Sequence, residues 1–235
     1  MRLDAYLVEQ GLCESRNKAQ TLIKEGIVLV EGDVVKKPAF KVEALLHVTL
    51  KEHKSYVSRA AYKLKDFIDA IGYKVKAQNA LDVGSSTGGF TQVLLEYGAL
   101  RVTCVDVGSE QLHHSLRQDT RVEVHENCDI RAFQSDVCYD LVVSDVAFIS
   151  LLHILDAIDR LASGDIILLF KPQFEVGREA KRDKNGVVLD QKAIAKARER
   201  FEGACKAKGW SLHVTLPSQT TGKEGNLEYC YYFSK

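Results

Sequence analysis

The sequence has no net charge, no long apolar run, no paired cysteines and no histidine cluster, and each absence excludes something. Lysine and arginine together number 32, as do aspartate and glutamate, so the chain is not basic overall, although such an average cannot exclude a basic face. No stretch reaches the roughly 18 apolar residues of a membrane span. The opening Met-Arg-Leu-Asp-Ala-Tyr-Leu lacks the apolar core of a secretion signal, so a soluble, cytoplasmic protein is expected. The six cysteines (Cys13, Cys104, Cys128, Cys138, Cys205, Cys230) form no C-x-x-C pair and no Cys/His group at zinc spacing. Reduced, mostly core thiols are expected. His113 and His114 lack metal-ligand company, so no metal site is expected. At 46% hydrophobic and 27% charged residues the composition excludes a disordered chain. A length of 235 residues allows a large domain with a small appendage.

The zero charge is an average over unlike parts. Residues 1–76 carry 14 basic and 10 acidic side chains, residues 77–160 carry 5 and 13, and residues 161–235 carry 13 and 9. The amino-terminal part reads as a small α+β unit. Leu3 and Leu7 begin a helical period that Gly11 ends, and Ser15 suits the N-cap of a second helix over Arg16–Lys24, closed by Gly26. Ile27–Val30, a turn at Glu31-Gly32-Asp33 and Val34-Val35 predict a hairpin, with Pro38 closing the segment. Its polar surface is mostly cationic, with Arg2, Arg16, Lys18, Lys24, Lys36, Lys37 and Lys41. Such a surface fits phosphates, whose neutralisation releases counterions.

Arg2-Leu3-Asp4…Leu7 and Ser15-Arg16-x-x-Ala19-x-x-Leu22-Ile23-x-x-Gly26-x-Val28-x-Val30-x-Gly32 together resemble the S4-type RNA-binding module. The resemblance implies RNA binding by residues 1–50, with Arg2, Arg16, Lys18, Lys36 and Lys37 as contacts. Residues 51–56 then read as a linker.

From Ala80 the chain alternates strands and helices, predicting a Rossmann-like α/β sheet over residues 57–235. A buried strand Ala80–Val83 runs into Gly84-Ser85-Ser86-Thr87-Gly88-Gly89, and an apolar helix follows over Phe90–Tyr97. This places backbone N–H groups where a nucleotide-like ligand can sit. The G-x-x-x-G-G spacing is not the G-x-G-x-x-G of dinucleotide enzymes, and no G-K-[ST] holds a triphosphate. A second strand, Arg101–Val107, puts Asp106 at its end, where a carboxylate can accept from a ribose diol. Asp82 is expected to face the loop, and Asp129 to end a third strand within reach of an adenine amino group. Asp82, Gly84, Ser85, Gly88, Gly89, Phe90, Asp106, Asp129 and Asp145 together describe a pocket for S-adenosylmethionine, whose cationic groups suit an acidic crevice.

Two later apolar runs, Tyr139–Asp145 and Ile166–Lys171, end in charged residues at the carboxyl ends of predicted parallel strands, which line the ligand crevice. A charge ending a buried strand is costly unless it has a partner or a task. Lys63 lies on a predicted helix over Val57–Ile71, and Glu228 in a final strand over Leu227–Phe233. Lys63…Asp145…Lys171…Glu228 resembles the Lys-Asp-Lys-Glu tetrad of FtsJ-like ribose 2′-O-methyltransferases. The strings Tyr56-Val57-Ser58-Arg59, Leu81–Phe90, Ser144–Ser150, Lys171–Gly177 and Gly225-Asn-x-Glu228 resemble the TlyA family, often labelled hemolysin A, over nearly the whole chain. This implies methylation of a cytidine 2′-OH in 23S ribosomal RNA, with 16S as an open further target, rRNA or a ribosomal subunit as partner, no membrane, and a monomer when free. Two departures, Tyr56 in place of a linker Trp and the segment after Pro217, favour the large subunit as target.

In-line methyl transfer needs the 2′-oxygen aligned and its proton removed. Lys171 is the candidate base, positioned by Asp145, with Lys63 and Glu228 holding the ribose and the lysine network. Burial and a neighbouring cation favour a neutral lysine, and carboxylates oppose it. Gln173–Asn185, carrying Arg178 and Arg182, is expected to be a mobile loop that clamps RNA, with Arg59 as a further contact. A helix over Asp190–Lys208 follows, its basic residues read as a solvated face, and Trp210 as core. The competing functions are a membrane-active hemolysin and a non-catalytic RNA-binding ribosome-assembly factor.

Overall fold

The computed structural model describes residues 1–43, 46–51 and 56–235. The chain forms two compact units, Met1–Ser55 and Tyr56–Lys235. Residues 52–55 of the expected linker lie outside the described residues.

In the first unit, α1 (Leu3–Glu9) and α2 (Arg16–Glu25) precede β1 (Val28–Val30), β2 (Asp33–Val34) and β3 (Val48–Leu50), which form an antiparallel sheet in the order β2-β1-β3. Ser15 caps α2 by accepting from the Lys18 N–H at 3.3 Å, and Gly26 ends it in the left-handed region at φ 76°. The hairpin turn is two residues, not three. Glu31 and Gly32 both have positive φ (52° and 87°), the backbone a tight hairpin requires, and Asp33 already pairs with Val30. Leu3, Leu7, Ala19, Leu22, Ile23, Val28 and Val30 make the core.

The second unit runs α3 (Ala60–Ile71), β4 (Asn79–Val83), α4 (Gly89–Glu96), β5 (Arg101–Val105), α5 (His114–Arg117), β6 (Val122–His125), β7 (Tyr139–Ser144), α6 (Leu155–Leu161), β8 (Ala162–Phe170), α7 (Pro172–Glu175), α8 (Gln191–Ala207), β9 (Ser211–Pro217) and β10 (Tyr229–Ser234). One seven-stranded sheet has the order β6-β5-β4-β7-β8-β10-β9. β4 through β8 are parallel, and β10 runs antiparallel to both its neighbours. The alternation of a strand puts successive side chains on opposite faces. Ile166, Leu168 and Phe170 of β8 join Ile158, Phe201 and Tyr231 in one core layer, while Ile167 and Leu169 join Leu64, Phe67, Val93 and Leu94 in the other. The chain steps outward from β4 through β5 to β6, then returns to β7 on the other side of β4. The order therefore reverses between β4 and β7, which opens a crevice at their carboxyl ends.

Several strands end before the charged residues expected to finish them. β5 stops at Val105, β7 at Ser144 and β8 at Phe170, so Asp106, Asp145 and Lys171 have left the ladder and turned towards the crevice. β6 stops at His125, so Asp129 lies four residues beyond a strand and does not end one. β10 starts at Tyr229, leaving Glu228 just before it, and α3 starts at Ala60, with Val57 N–H held by Gln92 Oε1 at 2.8 Å. Tyr56 packs in the second unit's core, its hydroxyl donating to Glu96 at 2.9 Å. Trp210 is core as expected, its Nε1 donating to Asp159 at 2.8 Å. Of the six free cysteines, Cys104, Cys205 and Cys230 are buried, whereas Cys138 is exposed.

The segment Gln173–Asn185 is knitted by hydrogen bonds and is not a free loop. Its first residues belong to α7, Arg182 donates to the carbonyls of Gln173 (3.3 Å) and Gly177 (3.4 Å), and Asp183 accepts from the N–H groups of Asn185 and Val187. Nor is the basic face of α8 simply solvated. Arg198 lies over the Tyr229 ring at 4.2 Å, and Arg200 donates to the Glu175 carbonyl at 2.7 Å.

Candidate active site

At the carboxyl ends of β4, β5 and β7 lie two adjoining clefts. One, of about 270 Å³, is lined by Gly84, Asp106, Asp129, Asp145, Ile149 and Phe148 among others. The second, of about 240 Å³, is lined by Asp82, Gly84, Ser85, Gly89, Phe90, Asp145 and Lys171, together with Ser58.

Asp82 is fully buried. Its Oδ2 accepts from the Thr91 hydroxyl at 2.6 Å, and its Oδ1 has no partner. Burial, with the Asp145 charge adding to it, pushes its pKa up to about 7 against the opposing Thr91 bond. A buried carboxylate oxygen without a donor is costly, and it fits a cationic ligand group. Asp106 spends one lone pair of each oxygen on main-chain N–H groups, Gly108 at 2.7 Å and Ser86 at 2.8 Å. Each oxygen keeps capacity for a further donor. Both oxygens of Asp129 accept from Arg131, which holds that carboxyl below its usual range. A ligand amino group at Asp129 has to compete with that pair.

The glycines divide by task. A Cβ on Gly89 would stand 2.2 Å from Ser58 Oγ and 2.9 Å from Ala61 N, so the close approach of α4 to the start of α3 requires glycine there. Gly88 lines neither cleft. It starts α4 at φ 93°, and a Cβ would meet Leu116 at 2.3 Å, so its role is packing and turn geometry.

The four residues of the expected tetrad come together as two ion pairs. Lys63 Nζ donates to Glu228 Oε2 at 2.6 Å, both side chains nearly inaccessible. Lys171 Nζ lies 2.6 Å from Asp145 Oδ1 and 3.4 Å from the Asp145 carbonyl. Gln173 Nε2 donates to Glu228 Oε1 at 3.1 Å, which orients the carboxylate from its other side. The buried polar atoms without a hydrogen-bond or ion-pair partner among the described residues are Ser58 Oγ, Asp82 Oδ1, Ser144 Oγ and Gln173 Oε1. Ser58 and Asp82 line the second cleft, Ser144 precedes Asp145, and Gln173 lies two residues past Lys171. Unspent hydrogen-bonding capacity therefore collects at this site.

Three residues at the site were not singled out by the sequence. Gln173 is one. Phe148 is 92% exposed, holds φ 65° and leans on Phe174 at 5.3 Å, presenting an apolar face at the mouth of the first cleft. Glu175 is buried, accepting from the Ser150 hydroxyl at 2.5 Å and Leu151 N–H at 2.7 Å. It ties α7, which follows Lys171, to the segment after β7 that carries Asp145 and Phe148. A glutamate five residues past the end of β8 was the available signal.

The basic residues expected to meet RNA fall on both units. In the first, Arg2 and Arg16 bind Asp4, Lys18 is half-buried, Lys37 is exposed, and exposed Lys36 extends across Gly26 at the end of α2. In the second, Arg59 and Arg178 are exposed, while Arg182 serves the α7 segment.

Residues 56–235 match the FtsJ-like methyltransferase family model, and residues 1–44 the S4 domain. The chain is 48% identical over 254 residues to the 23S rRNA (cytidine-2′-O)-methyltransferase TlyA of Campylobacter jejuni, covering 100% of both. It is 40% identical over 235 residues to the 16S/23S rRNA (cytidine-2′-O)-methyltransferase TlyA of Mycobacterium tuberculosis, covering 97% of this chain and 87% of that one. A solved structure of a candidate hemolysin from Streptococcus thermophilus is 34% identical with a TM-score of 0.73, covering 100% of this chain and 88% of that one. The chain belongs to the FtsJ-like methyltransferase family, in the TlyA group that joins an S4 domain to that fold.

Proposed function

We propose that this chain is an S-adenosylmethionine-dependent rRNA (cytidine-2′-O)-methyltransferase acting on ribosomal subunits in the cytoplasm. Residues 1–50 are its RNA-binding domain, 51–55 its linker and 56–235 its catalytic domain, since Tyr56 packs in the core of the second unit. The observation that carries the reading is the convergence of the Lys171–Asp145 and Lys63–Glu228 pairs beside an acidic cleft at the sheet's point of strand reversal. Asp82, with its unpartnered oxygen, and Gly84, Ser85 and Gly89 would hold the cationic end of S-adenosylmethionine, and Asp106 its ribose diol. When bound, the cofactor supplies an electrophilic methyl carbon.

Lys171 Nζ orients the substrate 2′-hydroxyl and, as the neutral amine, takes its proton, ending as the ammonium paired with Asp145. Asp145 fixes Nζ, while Lys63 and Glu228, the latter braced by Gln173, hold the ribose in line. Phe148 offers its face to an unstacked base, the usual way a single-stranded nucleotide is held. Arg59, Arg178 and the cations of residues 1–50 meet phosphates. Labelled S-adenosylmethionine, incubated with the protein and separately with unmodified 30S and 50S subunits, should mark a cytidine 2′-oxygen in 50S. Label confined to 30S corrects the subunit, and label on a base carbon or nitrogen overturns the reaction.

A further inference from the structure

We propose that Asp4 is a positioning residue for RNA binding: its buried carboxylate gathers the guanidinium groups of Arg2 and Arg16 into one preorganised phosphate clamp. The inference rests on the reading of residues 1–50 as an RNA-binding domain. Asp4, near the start of α1, has no accessible surface. Its Oδ1 accepts from Arg2 Nε at 3.0 Å, and its Oδ2 accepts from Arg2 Nη2 (2.9 Å), Arg16 Nη2 (3.3 Å) and Gln20 Nε2 (2.9 Å). Arg2 immediately precedes α1 and Arg16 opens α2, so the carboxylate joins the beginnings of two packed helices. The arginine side chains above it stay half-exposed, at 49% and 57%.

A guanidinium carries five N–H donors. Arg2 spends two on Asp4, which sets its plane, and Arg16 one, which tethers it; both keep further donors for a phosphate. A free arginine loses rotamer freedom when it grips a phosphate; here Asp4 has fixed the Arg2 fork and tethered Arg16 beforehand. The Arg2 hydrogen bond holds the Asp4 carboxyl well below its usual range, so the anchor remains charged wherever RNA binding is measured.

Charge counting and preorganisation give opposite signs. Removing an anion from a phosphate-binding surface should tighten RNA binding by electrostatics alone, whereas losing the anchor should loosen it. With the full-length protein and unmodified 50S subunits as probe, Asp4→Asn is expected to weaken binding about tenfold, the scale of one charge-assisted contact. The rate at saturating subunit should stay unchanged. In an Arg2→Gln/Arg16→Gln background the same substitution should cost nothing further. Equal loss in both backgrounds would show a structural tie between helices and overturn the inference, as would unchanged or tighter binding. Should Asp4→Asn fail to fold, Arg2→Lys/Arg16→Lys keeps every charge but removes the forks. It is expected to bind several-fold more weakly, and wild-type affinity there overturns the inference. A wild-type protein that does not bind the subunits overturns the RNA-binding reading and this inference with it, whereas tight wild-type binding with an equally tight Asp4→Asn overturns the inference alone.

Discussion

Asp82 sits in β4 with one oxygen on Thr91 and the other without a donor, and burial raises its pKa to about 7. The folded chain therefore keeps a proton that the unfolded chain gives up near its ordinary value of 3.8. The sign follows from linkage: this carboxyl's contribution to stability is fullest at acid pH and declines as pH rises between those two values. A cation bound beside it reverses the preference, because it stabilises the ionised form. S-adenosylmethionine affinity, measured by titration calorimetry above and below that pKa, should rise with pH, and Asp82→Asn should bind more weakly and lose that dependence. An unchanged pH profile in the variant would remove Asp82 from the cofactor site. At this scale the sequence singled out all four residues of the two ion pairs and expected Asp145 beside Lys171, but it did not pair Lys63 with Glu228. Lys63 and Glu228 are separated by 165 residues, and no local pattern carries a pairing of that range.

Two elements position the chemistry from outside it. Glu175 joins α7 to the segment after β7 through Ser150 and Leu151. Glu175→Gln keeps the size but turns an N–H₂ towards one of two donors, which should cost about 1–3 kcal/mol of stability. It should also lower kcat several-fold with little change in KM for RNA; a variant that loses only stability would make Glu175 a packing residue. Where α4 meets the start of α3, Gly89→Ala would place a methyl 2.2 Å from Ser58 Oγ. Something must shift, and since Ser58 and Gly89 both line the second cleft, cofactor binding should fall by at least tenfold in the same calorimetric titration. Strand and helix identities were legible because buried parallel strands are continuous apolar runs and because α2 and α8 carry side-chain caps, Ser15 and Asp190. Strand ends were not, since Asp106, Asp145 and Lys171 leave the ladder to reach the crevice, and a period-2 pattern does not register that departure. α7 was hidden in a polar stretch whose order comes from Arg182, Asp183 and the distant Asn226, whose Oδ1 accepts from Val188 N–H at 3.0 Å.

Over the whole molecule the balanced charge separates into tasks. The acidic middle third supplies Asp82, Asp106, Asp129 and Asp145 to clefts suited to a cationic cofactor, and the basic parts carry the residues proposed to meet phosphates. Added salt should weaken ribosomal-subunit binding steeply, through counterion release, and S-adenosylmethionine binding only slightly, because the buried Asp82 is poorly screened. Equal sensitivity in parallel titrations would undo that division. The central claim is that the Lys171–Asp145 and Lys63–Glu228 pairs carry out methyl transfer to an RNA ribose. Its most direct test is a single-turnover assay with labelled S-adenosylmethionine on unmodified 50S subunits, comparing wild type with Lys171→Ala. The wild type should label one cytidine 2′-oxygen, and Lys171→Ala should still bind cofactor while transferring methyl at least about 100-fold more slowly; a near-normal rate from Lys171→Ala would contradict the account.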